Sequence, residues 1–196
     1  MEDIKRILNE LDLEANLTLE DMPNIDLYMD QIIQLFENKF SGSKRNEDEK
    51  VFTKTMINNY AKGKLLFPIK NKKYSKEHLI LISLIYQLKG ALSINDIKTT
   101  LDGINKWVIH DELELDPFYN SYLNLTQKNV KKFNEDLPQR VQEVEAEIST
   151  GIEGKSPYLE QVLMISSLVH MSNLYRKVAE KLVDSIVTEK ETKRQK

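Results

Sequence analysis

Residues 79–86 read LILISLIY, an apolar run interrupted by a single serine. No other stretch restricts the fold as much. Ser75 precedes it where a helix cap belongs. The segment KEHLILISLIYQLKG then places Leu79, Ile80, Leu81, Ile82, Leu84, Ile85 and Leu88 on almost every side of a helix. A helix that is apolar all round is covered all round. The run is also far too short for a bilayer span, which needs about 20 residues. The segment is therefore expected to be a central helix with the other elements built around it. The 196 residues allow one domain, or one with an appendage. Low glycine and proline, with abundant Leu, Ile, Lys and Glu, point to a mainly α fold.

Composition excludes several function classes. With no cysteine, thiol catalysis, disulfides, zinc ribbons and iron–sulfur clusters all fall away, and a reducing cytoplasm is expected. The opening MEDIKRILNELD alternates charged with apolar residues, unlike a signal peptide. Neither a Gly-rich phosphate loop nor a Gly-x-Ser-x-Gly elbow occurs, so no enzyme and no cofactor is expected. His110-Asp111-Glu112, with Glu114 and Asp116, fits no metal-ligand spacing and reads as a solvated acidic loop. No metal site is expected.

Helical periodicity organises the rest. Ile4, Ile7, Leu8 and Leu11 mark a first helix over 3–11. Asn24 stands where an N-cap belongs, before a second helix whose buried face is Leu27, Ile32, Leu35, Phe36 and Phe40. SGSKRNEDEK (41–50) reads as a mobile loop. Thr53 caps a third helix, with Phe52, Met56, Ile57 and Tyr60 on one side and Gly63 as its stop. After the central helix, Ser93 opens another, with Ile94, Ile97 and Leu101 inward and Asp96 set for a capping box. Pro117 is expected to break the next segment. Residues 126–150 read as a helix with a kink or restart at Pro138, followed by a turn bracketed by Gly151 and Gly154. Ser156-Pro157 starts the longest helix, to about residue 189 and roughly 48 Å at 1.5 Å per residue. Met164, Leu168, Met171, Tyr175, Val178 and Leu182, spaced 4, 3, 4, 3, 4, form a coiled-coil-like seam and a candidate dimer interface.

Charge is distributed unevenly. Residues 53–76 hold seven lysines and no acid, in a chain of net charge −3, so the remainder sums to −10. Such a block suits phosphates, whose neutralisation releases counterions. Lys54 and Lys62 fall on the polar face of the third helix, Lys64 follows it, and Lys70, Lys72 and Lys73 sit at a turn that reads as a small hairpin or wing. Asn58 and Asn59 are suited to bidentate contacts with adenine, and Thr55 to a thymine methyl group. All seven lysines are expected to face one way.

The order of elements over 25–104, helix, basic helix, short basic wing, buried helix, short helix, resembles the winged helix-turn-helix domain of MerR-type transcription regulators. TKTMINNY (53–60), KLL (64–66) with Pro68, KKYSKEHL (72–79) and LSINDIK (92–98) carry the resemblance, clearest over 52–98. Thr53, Tyr60, Leu65, Leu66, Pro68, Tyr74, Ser75, Leu79, Ser93 and Ile97 occupy the family's places. Asn58-Asn59-Tyr60-Ala61 replaces the usual Arg-Tyr-Tyr-Glu, and Lys64 stands where that family has glycine, with Gly63 one position early. The whole chain, through PNIDLYMDQ and NNYAKGKLL, also resembles an uncharacterised bacterial domain family of unknown function. The first resemblance implies a DNA-binding transcription regulator whose partner is double-stranded DNA, acting as a homodimer with an unidentified small-molecule effector and no membrane. The domains would be 1–24, an N-terminal helix and connection; 25–104, the winged helix-turn-helix; and 105–196, a helical dimerisation and effector region. The alternative is a protein-interaction module that keeps the fold without binding DNA.

Overall fold

The computed structural model describes residues 2–151 and 156–194. In order, the elements are α1 (Glu2–Glu10), β1 (Leu27–Tyr28), α2 (Met29–Lys39), a 3-10 turn at Ser41–Ser43, α3 (Lys54–Lys62), β2 (Lys73–Tyr74), α4 (Lys76–Leu88), α5 (Ile94–Ile109), α6 (Leu115–Gly151) and α7 (Pro157–Arg194). The fold is mainly α and ends in a long helix. Among the described residues its only sheet is the antiparallel pair β1–β2, with Leu27 opposite Tyr74 and Tyr28 opposite Lys73.

The centre is α4, as its apolar run requires. His78 and residues 79–85 are all buried. Phe36 from α2 and Phe40 at its C-cap, Ile57 and Tyr60 from α3, and Ile97 and Leu101 from α5 close around it in one cluster. Phe36 meets Phe52 edge-on at 5.1 Å between ring centroids, and Phe40 lies 4.3 Å from Tyr86. Such aromatic pairs contribute about 0.5–1.5 kcal/mol each beyond their buried area. The cluster reaches back to Leu17 and forward to Leu115 and Tyr119 of α6, and the Tyr119 hydroxyl donates to the Leu17 carbonyl at 2.6 Å. The core therefore runs from 17 to 119, wider than the 25–104 segment read from sequence. α5 is continuous across 104–105, where the composition changes.

Two caps stand as the sequence implies. Thr53 Oγ1 accepts from the Met56 N–H at 3.2 Å. Ser93 Oγ accepts from the Asp96 N–H at 3.2 Å, while Asp96 Oδ2 accepts from the Ser93 N–H at 3.3 Å. Other expectations are corrected. Asn24 does not open α2: Leu27 and Tyr28 are drawn into the sheet, and the helix begins at Met29 after the Gln31 side chain accepts from the Tyr28 N–H. Ile94 is exposed rather than inward. Pro117 does not break α6, because it lies in the first turn, where a missing N–H costs no hydrogen bond. α6 also runs unbroken through Pro138, burying Leu137, Val144 and Ile148. The turn expected between Gly151 and Gly154 falls largely outside the described residues.

The segment read as a mobile loop is anchored at both ends. Glu37 takes the Lys44 ammonium and accepts from the Val51 N–H at 3.1 Å. The hydrogen bond from Lys44 holds the Glu37 carboxyl below its ordinary range. Lys89 then donates to the Val51 carbonyl at 2.7 Å and lies 4.8 Å from the centroids of both Phe52 and Tyr86. Burial lowers the pKa of this ammonium. Residues 44–53 thus deliver Thr53 to a fixed place, which sets the start of α3.

Candidate nucleic-acid interface

On α3, Thr55, Asn58, Asn59 and Lys62 follow the spacing i, i+3, i+4, i+7 and are all exposed, while Ile57 and Tyr60 hold the opposite face in the core. These four side chains have no hydrogen-bond or ion-pair partner among the described residues, so their donors and acceptors are open to a ligand. Lys54 lies beside the stripe and pairs with Asp30 of α2 at 2.7 Å. Both members are about two-thirds exposed, so the pair is weak and easily given up.

The end of α3 is a Schellman motif. The Leu65 N–H reaches the Tyr60 carbonyl at 2.9 Å and the Lys64 N–H reaches the Ala61 carbonyl at 3.1 Å. This motif needs a left-handed residue at the position after the cap. Gly63, expected as the stop, has φ −71°, and Lys64 takes the left-handed place with φ 59°. Leu65 and Tyr60, the apolar pair of the motif, are both buried. Asn105 of α5 holds the junction by donating to the Leu65 carbonyl at 3.0 Å.

The wing is a tight turn at residues 70–73. The Lys73 N–H donates to the Lys70 carbonyl at 2.9 Å, and the two central residues, Asn71 and Lys72, have φ 52° and 58°. Two positive φ values are the mark of a type I′ turn, whose second central residue is most often glycine. Lys70, Lys72 and the half-exposed Lys73 crown it, and Lys73 Nζ lies 5.3 Å from the Tyr28 ring centroid.

Both ends of the wing are gripped by one residue. His78 Nδ1 accepts from the Ser75 N–H at 3.1 Å, so the ring carries its proton on Nε2, which donates to the Phe67 carbonyl at 3.2 Å. The ring also stacks on Phe67, 3.8 Å between centroids, and meets Tyr74 edge-on at 5.7 Å. Burial lowers the His78 pKa, outweighing the Phe67 hydrogen bond and the charges of Glu77 and Asp26. His78 stands at the start of the apolar run, and its hold on the wing is not among the roles read from sequence. The signal lay in its place three residues after a capping serine, where a side-chain acceptor reaches back to the cap.

The seven lysines do not all share this surface. Lys76 turns to Asp116 of α6 at 2.6 Å. Lys62, Lys64, Lys70, Lys72 and Lys73 have no ion pair among the described residues.

The candidate dimer seam divides in two. Met164, Leu168 and Met171 are half-buried within the chain, while Tyr175, Val178 and Leu182 are exposed, at 71, 62 and 63%. The reason is helical drift. α7 turns its covered side through Met164, Leu168 and Met171 to Ala179 and Val183, a longer period than the heptad, so a 3.5-residue stripe leaves the contact after Met171.

Fold and surface together define a mainly helical domain that carries a basic wing beside an open polar helix face. Residues 17–122 match the family described as Domain of unknown function (DUF1836), and the chain belongs to that family. The match covers the core from Leu17 through Tyr119 and stops short of most of α6 and all of α7. No curated protein and no solved structure matches the chain.

Proposed function

We propose that this protein binds double-stranded DNA as a transcription regulator of the MerR-like winged type, with α3 in a major groove and the wing on flanking phosphates. One observation carries the reading. Lys64 and Lys72 both stand in left-handed backbone where glycine would be free of strain. A side chain kept there at a cost of about 1–2 kcal/mol has a use beyond folding. Both lysines are exposed, neither has an acidic partner among the described residues, and the Thr55, Asn58, Asn59 and Lys62 stripe is equally open. Arginine clamps are absent, so lysines would supply the phosphate contacts and the asparagines the base contacts.

Fluorescence anisotropy against mixed genomic fragments at low salt tests this. Binding on the order of micromolar or tighter is expected, weakening steeply with added salt. The variant Lys62→Glu/Lys72→Glu should lose it. No binding at micromolar protein, or binding indifferent to that charge reversal, rules the reading out. If labelled protein instead retains a partner after nuclease treatment, the interaction-module alternative takes its place.

The regulator would act as a homodimer through α7. Residues 161–175 contain no Asp, Glu, Lys or Arg, although the chain is 30% charged. α5 and α6 pack against α7, yet Tyr158, Val162, Ile165 and Val169, spaced 4, 3, 4, remain 70, 41, 61 and 54% exposed. Exposed apolar stripes of this kind mark interaction surfaces. Light scattering at tens of micromolar should give twice the chain mass, and Val162→Glu/Ile165→Glu should halve it. A wild-type monomer would refute dimerisation.

A further inference from the structure

α6 and α7 pack against each other, and residues midway along both line a cavity of about 800 Å³. That volume falls within the range of small-molecule sites, roughly 300–1,000 Å³. We propose that this cavity binds a small amphipathic anion, an apolar body bearing one carboxylate or comparable group. The proposal is independent of DNA binding.

The lining divides into two kinds of side chain. Phe133 from α6, with Leu168, Met171 and Ala179 from α7, gives apolar walls, and Ala91 of the turn between α4 and α5 adds to them. Phe133 and Tyr175, the two aromatic rings at the cavity, remain 39 and 71% exposed. Covering them with an apolar body would yield about 25 cal/mol per Å² removed from water.

The polar lining is unbalanced. Lys132, Arg140 and Arg176 contribute three positive charges, and Asp136 is the single acid. Asp136 is already engaged, since Arg140 Nε donates to its Oδ2 at 2.5 Å. That bond fixes one edge of the Arg140 guanidinium and leaves its terminal nitrogens without a hydrogen bond among the described residues, although the Glu143 charge also acts on this group. Arg176 forms an ion pair with Glu180 at 3.8 Å, too long for a hydrogen bond, and Lys132 has no ion pair among the described residues. The lining itself sums to +2, with Glu143 and Glu180 beside Arg140 and Arg176 outside it, so the charge facing the cavity favours an anion over a cation. A planar guanidinium with free terminal nitrogens suits a carboxylate best. The spacing supports a formed site: 129, 132, 133, 136 and 140 share one face of α6, and 168, 171, 172, 175 and 179 share the facing side of α7.

The test is calorimetry on the full chain with decanoate, decanol and decyltrimethylammonium, each below its aggregation limit. Decanoate should bind one per chain and roughly tenfold or more tighter than decanol, as a charge-assisted contact implies. The trimethylammonium probe should bind worst. Lys132→Gln, on an exposed position that the fold does not need, and Arg140→Gln should each weaken decanoate roughly tenfold and leave decanol unchanged. Ala179→Phe should exclude both. Circular dichroism checks that each variant is folded. No saturable decanoate binding, equal affinity for all three probes, or variants that bind like wild type would each overturn the proposal. Decanoate binding that vanishes as scattering mass doubles also overturns it, because a second copy would then fill the cavity.

Discussion

The double variant Lys64→Gly/Lys72→Gly is expected to melt at a higher temperature than the wild type and to bind DNA more weakly. The two changes follow from different properties of the same residues. Left-handed backbone costs a non-glycine residue roughly 1–2 kcal/mol. Glycine's greater freedom in the unfolded chain returns about 0.5–1 kcal/mol of that. The net gain is about 0.5–1 kcal/mol per site, and at roughly 2–4 °C per kcal/mol for a chain of this size the pair should raise Tm by about 2–8 °C. The Schellman end of α3 and the turn at 70–73 keep their backbone bonds, because neither uses a lysine side chain. Binding should fall roughly ten- to hundredfold at low salt, and the slope of log K against log salt should flatten by about 1.8 for two phosphate contacts removed. A stabilised variant that binds DNA as before would remove these lysines from the interface and with them the observation on which the function rests. A destabilised variant would mean that the left-handed geometry costs the protein nothing.

Much of the fold is legible along the chain because its instructions are local. The run at 79–86 demands burial on every side, and α4 has it. Thr53 and Ser93 each precede a helical period by one residue, and both cap. Contacts that depend on distant partners are not written that way. Leu27 and Tyr28 become a strand only because residues 73 and 74 pair with them. Pro117 and Pro138 look alike in sequence, yet one sits harmlessly in a first turn and the other is carried by a long helix whose flanking apolar residues are buried. At the site, the lysine block was plain, but its sorting was not. Lys76 follows Asp116 and Lys54 follows Asp30, which are pairings between elements. Lys64's left-handed state was foreshadowed by the glycine one position early: the motif needs its special residue after the cap, and Gly63 occupies the cap itself. The cavity cations Lys132, Arg140 and Arg176 gave no sequence signal, since charged residues at helical spacing are ordinary solvent faces until a facing helix is known.

His78→Ala is expected to cost the fold about 3–4 kcal/mol and to abolish a pH dependence that the wild type carries. Removing the ring leaves a cavity against Phe67 and Tyr74, and it strips the partners from the Ser75 N–H and the Phe67 carbonyl. His78→Gln should cost less, about 1–2 kcal/mol, because glutamine at this position can still accept from the Ser75 N–H. The pH dependence has a definite sign. Burial lowers the His78 pKa in the folded chain, so the unfolded chain takes up the proton first. Stability supplied by the neutral ring is complete above its ordinary value near 6.5 and is lost as pH falls below it. Glu37 is also displaced downward, by the Lys44 hydrogen bond, and Asp21 is too: burial raises it, but hydrogen bonds from Lys39 and Thr18 outweigh that. Their stability is lost only at more acid pH, below the ordinary carboxylate range near 4. Urea midpoints at pH 7.5 and 5.5 isolate the histidine. The wild type should unfold at lower urea at pH 5.5, and both variants should show little difference between the two values. Protonation would also place a hydrogen on Nδ1 facing the Ser75 N–H, so the wing should loosen first. Amide exchange at residues 67–75 should therefore quicken at pH 5.5 ahead of exchange in α4. Equal quickening across wing and α4, or a variant that keeps the wild-type pH slope, would place the titrating group elsewhere and release the wing from His78.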